Sequence, residues 1–503
     1  MKICFFLQRR FAYIGHEMAK LLKERYGVTD FCGYVSLRSS LEFLKNQEDI
    51  QYTGLVLEED VYGRYREEKL DPVFLEDFEK KYGIPNLWPY INLDRVIRYN
   101  LLLRNYPHDR SAYSHEEMLR IFQVTAKAVT KFLDEEKPDC VIFSVIGNIS
   151  SLLLYEVAKK RGIKTLILDA ARIGNKYFWT EEYDRSTYVW DSFAKIKNSG
   201  GDEYGKLRED AEKFLSEYQK KSYYFFEKSA AFSALEKPVN RLPHFRFLLP
   251  KNLFKNFSWF FKSLFYFWQY RKDYDSVNPL WENFDKAKRK LRILIGYSGF
   301  YDSIKKEDYI FFPLHTEPEA YPMLLAPFYT DQIWLIKQVA RSLPATYKLY
   351  IKDHPAMLGY RPRSFYKELK KIPNVKLINI GENSLDLIKN SKMVVTLLGT
   401  AGWEAVLSKK PVIIFGKIFY DGLSMVRRCA AIEDLPYLVK GQLEQFQYQE
   451  KELIDFIAAL YKESVDLDLP KLWDVEGGGK LDQRKSELVP LVDLIASKLG
   501  FIL

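Results

Sequence analysis

Apolar residues in this chain fall into short runs, each closed by a polar or glycine-bearing turn and followed by a stretch with helical spacing. The pattern is densest between 347 and 416. Tyr347-Lys-Leu-Tyr-Ile-Lys352 runs into Asp353-His354-Pro355. Lys392-Met-Val-Val-Thr-Leu-Leu398 runs into Gly399-Thr400-Ala401-Gly402-Trp403-Glu404, and Pro411-Val-Ile-Ile-Phe415 stops at Gly416. Short apolar runs bounded by turns and separated by helical segments predict buried strands of a parallel sheet. Ligands of open parallel sheets collect beyond the carboxyl ends of the strands. The three turns are therefore expected on one rim, with 347–352 the neighbour of 392–398 and a helix leaving each turn. A helix starting near Ala401 would aim unpaired N–H groups and a positive dipole end at that rim, which suits an anion.

The same alternation organises the rest of the chain. Strands are predicted at 2–7, 28–35, 140–144 and 164–168, with helices at 15–26, 116–136 and 149–161, which makes a first α/β domain over 1–201. Residues 40–115 are charged and Tyr-rich and read as helical in pieces. From 202 to 289 the pattern turns helical, charged and aromatic, and is taken as an insertion. A second α/β domain over 290–470 is expected to open with a strand at Leu291-Arg-Ile-Leu-Ile-Gly296. A strand at 308–314, the loop His315-Thr-Glu-Pro-Glu-Ala320 and a helix at 328–343 follow, with a further helix at 452–463. In the tail, 471–503, Gly477-Gly478-Gly479 marks a linker, and a last helix at 486–498 is expected to pack back on the first domain.

Composition adds limits. The 503 residues suit two or three domains, and 47% hydrophobic with 28% charged residues is ordinary for a globular protein. The net charge of +9 is mild for this length; it is compatible with anionic ligands or lipid and gives no case for nucleic acid. Cys4, Cys32, Cys140 and Cys429 are scattered without metal-site spacing, so a reducing cytoplasm is expected. No uncharged apolar run is long enough to span a membrane, and the start of the chain reads as a strand rather than a leader.

Several motifs, taken in order, resemble the capsule polysaccharide biosynthesis family. That family includes transferases of the CMP-activated keto-deoxy sugar Kdo, and its layout is similar to bacterial sialyltransferases with a His-Pro motif. The residues that carry the likeness are Phe312-Pro-Leu-His-Thr-Glu-Pro-Glu-Ala320, Asp331-Gln332, Tyr350-Ile-Lys-Asp-His-Pro355, Gly399-Thr-Ala-Gly-Trp-Glu-Ala405 and Lys410-Pro-Val-Ile-Ile-Phe-Gly416. They span about 290–430. Lys409 stands where the family usually has glycine, and 202–289 matches nothing in it. The resemblance implies a GT-B fold, two Rossmann-like domains facing a cleft with the nucleotide donor on the second.

Chemistry is expected at the rim. His354, Lys352, Pro355, Gly399, Thr400 and Gly402 are the candidate donor-phosphate residues, with Thr400 as an N-cap or phosphate ligand and Gly402 leaving room for the phosphate. Glu404 is placed to bond a ribose or cap its helix, and His315 to contact the donor. Asp169 and Glu319 are the candidate catalytic carboxylates, one from each wall. Arg9, Arg10, His16 and Arg172 are expected on the acceptor side. No cofactor and no metal are expected, because amides with His and Lys can hold phosphate; the triplets Asp273-Tyr-Asp275 and Asp466-Leu-Asp468 read as solvated carboxylates. The expected function is a cytoplasmic glycosyltransferase of surface polysaccharide or glycolipid, moving sugar from a nucleotide donor, CMP-Kdo-like, to a glycan or lipid-linked acceptor. A nucleotide-sugar 2-epimerase and a non-catalytic scaffold of the capsule machinery stay open as alternatives. Residues 241–272 hold seven Lys/Arg, twelve aromatics and no Asp or Glu, so contact with the inner face of an anionic membrane is a further expectation, with Trp259, Phe260, Phe261, Phe267 and Trp268 entering the interface.

Overall fold

The computed structural model describes residues 1–99, 111, 113–199, 202–220, 250–270, 278–473 and 485–501. The Asp273–Asp275 triplet, the three-glycine linker and the ends of the 241–272 stretch lie outside the described residues.

Two α/β domains face each other. The first is built on a seven-stranded sheet ordered β13-β6-β5-β4-β1-β2-β3. Here β1 is Lys2–Leu7, β2 Asp30–Val35, β3 Tyr52–Leu57, β4 Cys140–Phe143, β5 Lys164–Ala170, β6 Lys176–Thr180 and β13 Ser464–Asp466. Strands β1 to β5 run parallel, while β6 and β13 pair antiparallel at one edge. The central strands are buried along their length, as double-sided helix cover requires. Helix His115–Glu136 starts at a Ser114 capping box and Ile149–Lys160 at an Asn148 box.

The second domain is a six-stranded parallel sheet ordered β12-β11-β10-β7-β8-β9. Its strands are β7 Tyr309–Pro313, β8 Lys348–Lys352, β9 Val375–Ile378, β10 Met393–Thr396, β11 Val412–Ile414 and β12 Val426–Arg428. The chain runs outward from β7 through β8 to β9, then returns to β10 on the other side of β7. That reversal is a topological switch point, the place where such sheets open a crevice.

Four expectations change. Leu291–Ile295 is the end of helix Pro279–Ile295, not a strand, so the sheet opens at β7. Asn278 caps that helix through the Leu280 N–H, Pro279 occupies its first turn, and Glu282–Lys286 (i,i+4) and Asp285–Arg289 (i,i+4) pairs carry it on to the aliphatic residues. Strand β7 separates β8 from β10, so 347–352 and 392–398 are not neighbours. No helix leaves β11; the chain turns through Gly416 and goes on to β12. Helices Thr187–Asn198 and Gly205–Lys220 pack with Glu450–Glu463 in the second domain's core, with Arg208 bonded to Asp455 at 2.7 Å. The chain therefore crosses to the second domain before 187, and the segment after 202 begins as part of that domain's outer layer. At the far end, helix Lys485–Lys498 buries Leu488, Leu491, Val492 and Ile495 against the first domain, and Asp493 accepts from Arg25 and Tyr26.

Candidate active-site cleft

The cleft lies over the switch point. It encloses about 420 Å³ and is lined from the second domain by the residues after β7, β8, β10 and β11, and from the first by Asp169, Arg172 and 182–186.

The wall after β8 is held rigid from behind. Arg361 is fully buried and donates to Asp353, to Glu317 at 3.3 Å and to the His315 carbonyl at 2.5 Å. Asp353 also accepts from the Tyr366 hydroxyl and from the His354 N–H at 2.7 Å. The imidazole of His354 accepts the Ala356 N–H at Nδ1, 3.1 Å away, so neutral His354 carries its proton on Nε2. Lys352 is buried and donates to Ser384 at 2.8 Å. Burial pushes its ammonium down to about 8, against the opposing fields of Asp353 and Glu404. Glu404, 4% exposed, is pushed up to about 8 by burial, with Lys352 working against the rise. Near neutral pH the pair is therefore a charged lysine beside a largely protonated carboxyl that can donate a hydrogen bond.

The wall after β10 is a helix N-terminus. Helix Thr400–Leu407 has no side-chain cap, and its N-cap is Gly399 at φ 122°, a conformation open to glycine. Thr400, expected as a cap, is instead the first helical residue. A Cβ on Gly399 would meet His315 at 2.9 Å. Removal from water pushes His315 down to about 3, helped by His354 and Arg361, so it stays neutral. Its Nε2 lies 3.0 Å from the Thr396 hydroxyl, which bonds the Leu398 carbonyl at 3.2 Å. Gly402 does not line the cleft: a Cβ there would strike the Tyr420 hydroxyl at 2.1 Å. That hydroxyl donates to the Gly399 carbonyl at 2.7 Å. The space Gly402 leaves belongs to Tyr420, not to a phosphate.

From the first domain, Asp169 follows the line of β5. Its carboxyl is raised by burial, opposed by Arg172, the Ala170 N–H and the Tyr321 hydroxyl. Tyr321 belongs to helix Ala320–Leu325 of the second domain, so its bond to Asp169 spans the cleft. Arg172 sits at φ 55° and, among the described residues, has no hydrogen-bond or ion-pair partner. Glu319 lines the cleft as the N-cap of the Ala320–Leu325 helix and accepts from Thr316. An Asp184–Lys417 ion pair joins the two walls.

Lys352, His354, Pro355, Gly399, Thr400, Glu404, His315, Asp169, Glu319 and Arg172 thus converge on one cleft. Arg9, Arg10 and His16 do not line it. Arg9 and Arg10 turn the chain from β1 into helix Phe11–Tyr26. His16 is buried in that helix between the Tyr52 hydroxyl at 3.1 Å and Asp49 at 3.0 Å, which makes it a core residue. Asp466 pairs with Lys176. Sequence reasoning passed over Tyr321, Ser384, Arg361 and Lys417. Only Lys417 carried a plain signal, as the residue after the glycine closing β11.

Fold and cleft together define a GT-B-like protein, two parallel-sheet domains with a shared crevice. Residues 303–434 match the family described as "Capsule polysaccharide biosynthesis protein". No curated protein sequence matches the chain. Solved structures with a similar fold include Thermosulfurimonas dismutans KpsC, beta Kdo 2,7 transferase, at 13% identity and TM-score 0.36, covering 73% of this chain and 89% of that one. The beta Kdo 2,4 transferase of the same organism's KpsC is 14% identical with TM-score 0.37, over 67% and 84%. Methanocaldococcus jannaschii UDP-GlcNAc 2-epimerase is 12% identical with TM-score 0.29, over 92% and 99%.

Proposed function

We propose that this protein is a glycosyltransferase of surface polysaccharide or glycolipid synthesis, with the nucleotide-sugar donor held on the second domain and transfer taking place across the cleft. The observation that carries the reading is the meeting of a phosphate-type site with a carboxylate from the opposite domain. The uncapped N-terminus of Thr400–Leu407, the Lys352 ammonium and the His354 Nε2–H face the same space as Asp169 and Arg172. The family match over 303–434 supports the placement in capsule synthesis.

In this reading the donor phosphate takes its charge from Lys352, His354 and helix amides, with no metal or cofactor needed. His354 donates to a phosphate oxygen as the sugar–oxygen bond breaks, and so stabilises the leaving nucleotide. The protonated Glu404 carboxyl donates to a hydroxyl of the donor. Asp169 serves as base or nucleophile, held in place by Tyr321. The cation Arg172 suits a donor sugar that bears a carboxylate, which favours a CMP-Kdo-like donor over a neutral one. The acceptor is a glycan or lipid-linked chain on the first-domain side, in the cytoplasm.

The test is a titration of CMP, UDP and GDP sugars into wild type and His354→Ala, followed by product analysis with and without acceptor glycan. The proposal expects one donor class to bind, His354→Ala to weaken it, and turnover to need acceptor. Epimerised donor formed without acceptor would instead establish the epimerase, and no nucleotide binding would leave a scaffold.

A further inference from the structure

A cluster of exposed apolar side chains lies outside the cleft lining. Among the described residues, ten of the seventeen exposed large hydrophobic side chains stand on two helices, Pro250–Tyr270 and Pro279–Ile295. On the first, Phe257 (62% exposed), Phe261 (52%), Phe265 (69%) and Trp268 (73%) recur at helical spacing and form one outward stripe. Trp259 turns the other way, with the Lys286 ammonium of the second helix 4.5 Å from its ring centre. Phe260 and Phe267 are half-buried, so the outward set differs from the one expected from sequence. On the second helix Leu280, Phe284, Leu291 and Ile295 make another exposed row.

Charge says what covers the first stripe. Helix Pro250–Tyr270 contains three lysines and no acidic residue. Lys262 stands exposed on one flank of the aromatic stripe. A protein partner could bury the rings, but exposed rings on a helix that carries lysines and no carboxylate call for a surface that is apolar within and anionic at its edge. No described helix is long and apolar enough to cross a membrane. At 1.5 Å per residue this one, about 31 Å long, is suited to lie in the plane of a bilayer surface.

We infer that helix Pro250–Tyr270 docks this protein on an anionic phospholipid surface, with Phe257, Phe261, Phe265 and Trp268 in the acyl boundary and Lys262 at the headgroups. The neighbouring helix ties this anchor to the cleft. Arg292 donates to the Gly359 and Tyr360 carbonyls at 3.2 and 2.5 Å, and the Arg289 guanidinium lies 4.3 Å from the Tyr360 ring centre. The next residue, Arg361, fixes Asp353 and the His315 carbonyl. Docking therefore holds the cleft at a set height and tilt over the surface. The inference stands apart from the transferase reading, because it uses no cleft residue.

Flotation of the purified full chain with phosphatidylcholine vesicles, with and without phosphatidylglycerol, tests it. Wild type should float with the anionic vesicles at low salt, and less at high salt or on neutral lipid. Trp268 emission should shift to the blue and be quenched by bromine-labelled acyl chains. Each ring lost in Phe261→Ser and Trp268→Ser should weaken partitioning by roughly tenfold or more. The charge reversal Lys262→Glu should weaken it about fivefold or more. These sites are on an exposed face, and an unchanged melting curve confirms that the variants fold. Wild type that stays with the soluble fraction, or that binds neutral and anionic vesicles alike, overturns the inference. So does a wild-type dimer in light scattering that the ring variants dissolve, since the stripe would then be covered by a second copy.

Discussion

Lys352 and Glu404 place two shifted titrations in one buried site, and the signs of the shifts set how stability follows pH. Glu404 titrates near 8 in the folded protein against an ordinary 4.5. The folded state holds a proton there that the unfolded chain has released, so this contribution is full below 4.5 and is lost as pH rises to about 8. Lys352 titrates near 8 against an ordinary 10.5, so its contribution is full above 10.5 and is lost as pH falls to about 8. The two limbs meet in a minimum near 8, each with a slope on the order of 1 kcal/mol per pH unit. Urea melts across the range should show that minimum, and Glu404→Gln should flatten its acid-side limb. His354 makes a second residue-scale prediction. Loss of one charge-assisted bond costs about 1.5–3 kcal/mol, so His354→Ala should bind the preferred donor roughly 10- to 150-fold more weakly by calorimetry while melting normally. Much of this site was legible because strand-end residues and a glycine turn announce themselves by spacing. Tyr321 and Arg361 were not, since a side chain that reaches its partner through the fold leaves no local pattern. His16 misled for the converse reason: it follows β1 closely in sequence, yet one turn into the helix its ring faces the core.

Two glycines in one turn do separate work at the start of helix Thr400–Leu407. Gly399 takes φ 122° with His315 packed where a Cβ would stand, and Gly402 clears the Tyr420 hydroxyl that bonds Gly399's carbonyl. Gly399→Ala should therefore cost about 1–3 kcal/mol from backbone strain and also weaken donor binding. Gly402→Ala should act by pushing Tyr420 off that carbonyl, and Tyr420→Phe in the same chain should recover part of the loss in a melting series. If Gly402→Ala weakens donor binding with stability unchanged, the glycine serves the ligand directly. Sequence pattern marked most strands that lie inside a sheet, because residues buried on both faces read as unbroken apolar runs. It missed β3, β6, β9, β12 and β13, which stand at or beside sheet edges; β6, β9, β12 and β13 are short or carry charge, and β3 is only partly buried. It also took Leu291–Ile295 for a strand, since a short aliphatic run has no period of its own and the cap that decides the matter lies a dozen residues earlier, at Asn278.

At the scale of the whole molecule, two polar contacts among the described residues close the cleft: Asp184 with Lys417 and Tyr321 with Asp169. They have different consequences. The first is a partly exposed ion pair, worth up to about 1 kcal/mol and screened by salt. The second reaches the proposed reacting carboxylate. Burial raises the Asp169 carboxyl, and the Tyr321 hydroxyl opposes the rise by donating to the ionised form. Tyr321→Phe removes that donor and leaves the ring, so Asp169 should hold its proton to higher pH. If Asp169 must be ionised to act, the acid limb of the kcat profile moves up in Tyr321→Phe while donor affinity changes little. Asp169→Asn should abolish that limb and lower turnover by roughly 100-fold or more, and Glu319→Gln should leave the limb in place. A Tyr321→Phe profile that coincides with wild type would place the acting carboxylate elsewhere, with Glu319 next to be tested because it lines the same cleft from the opposite domain.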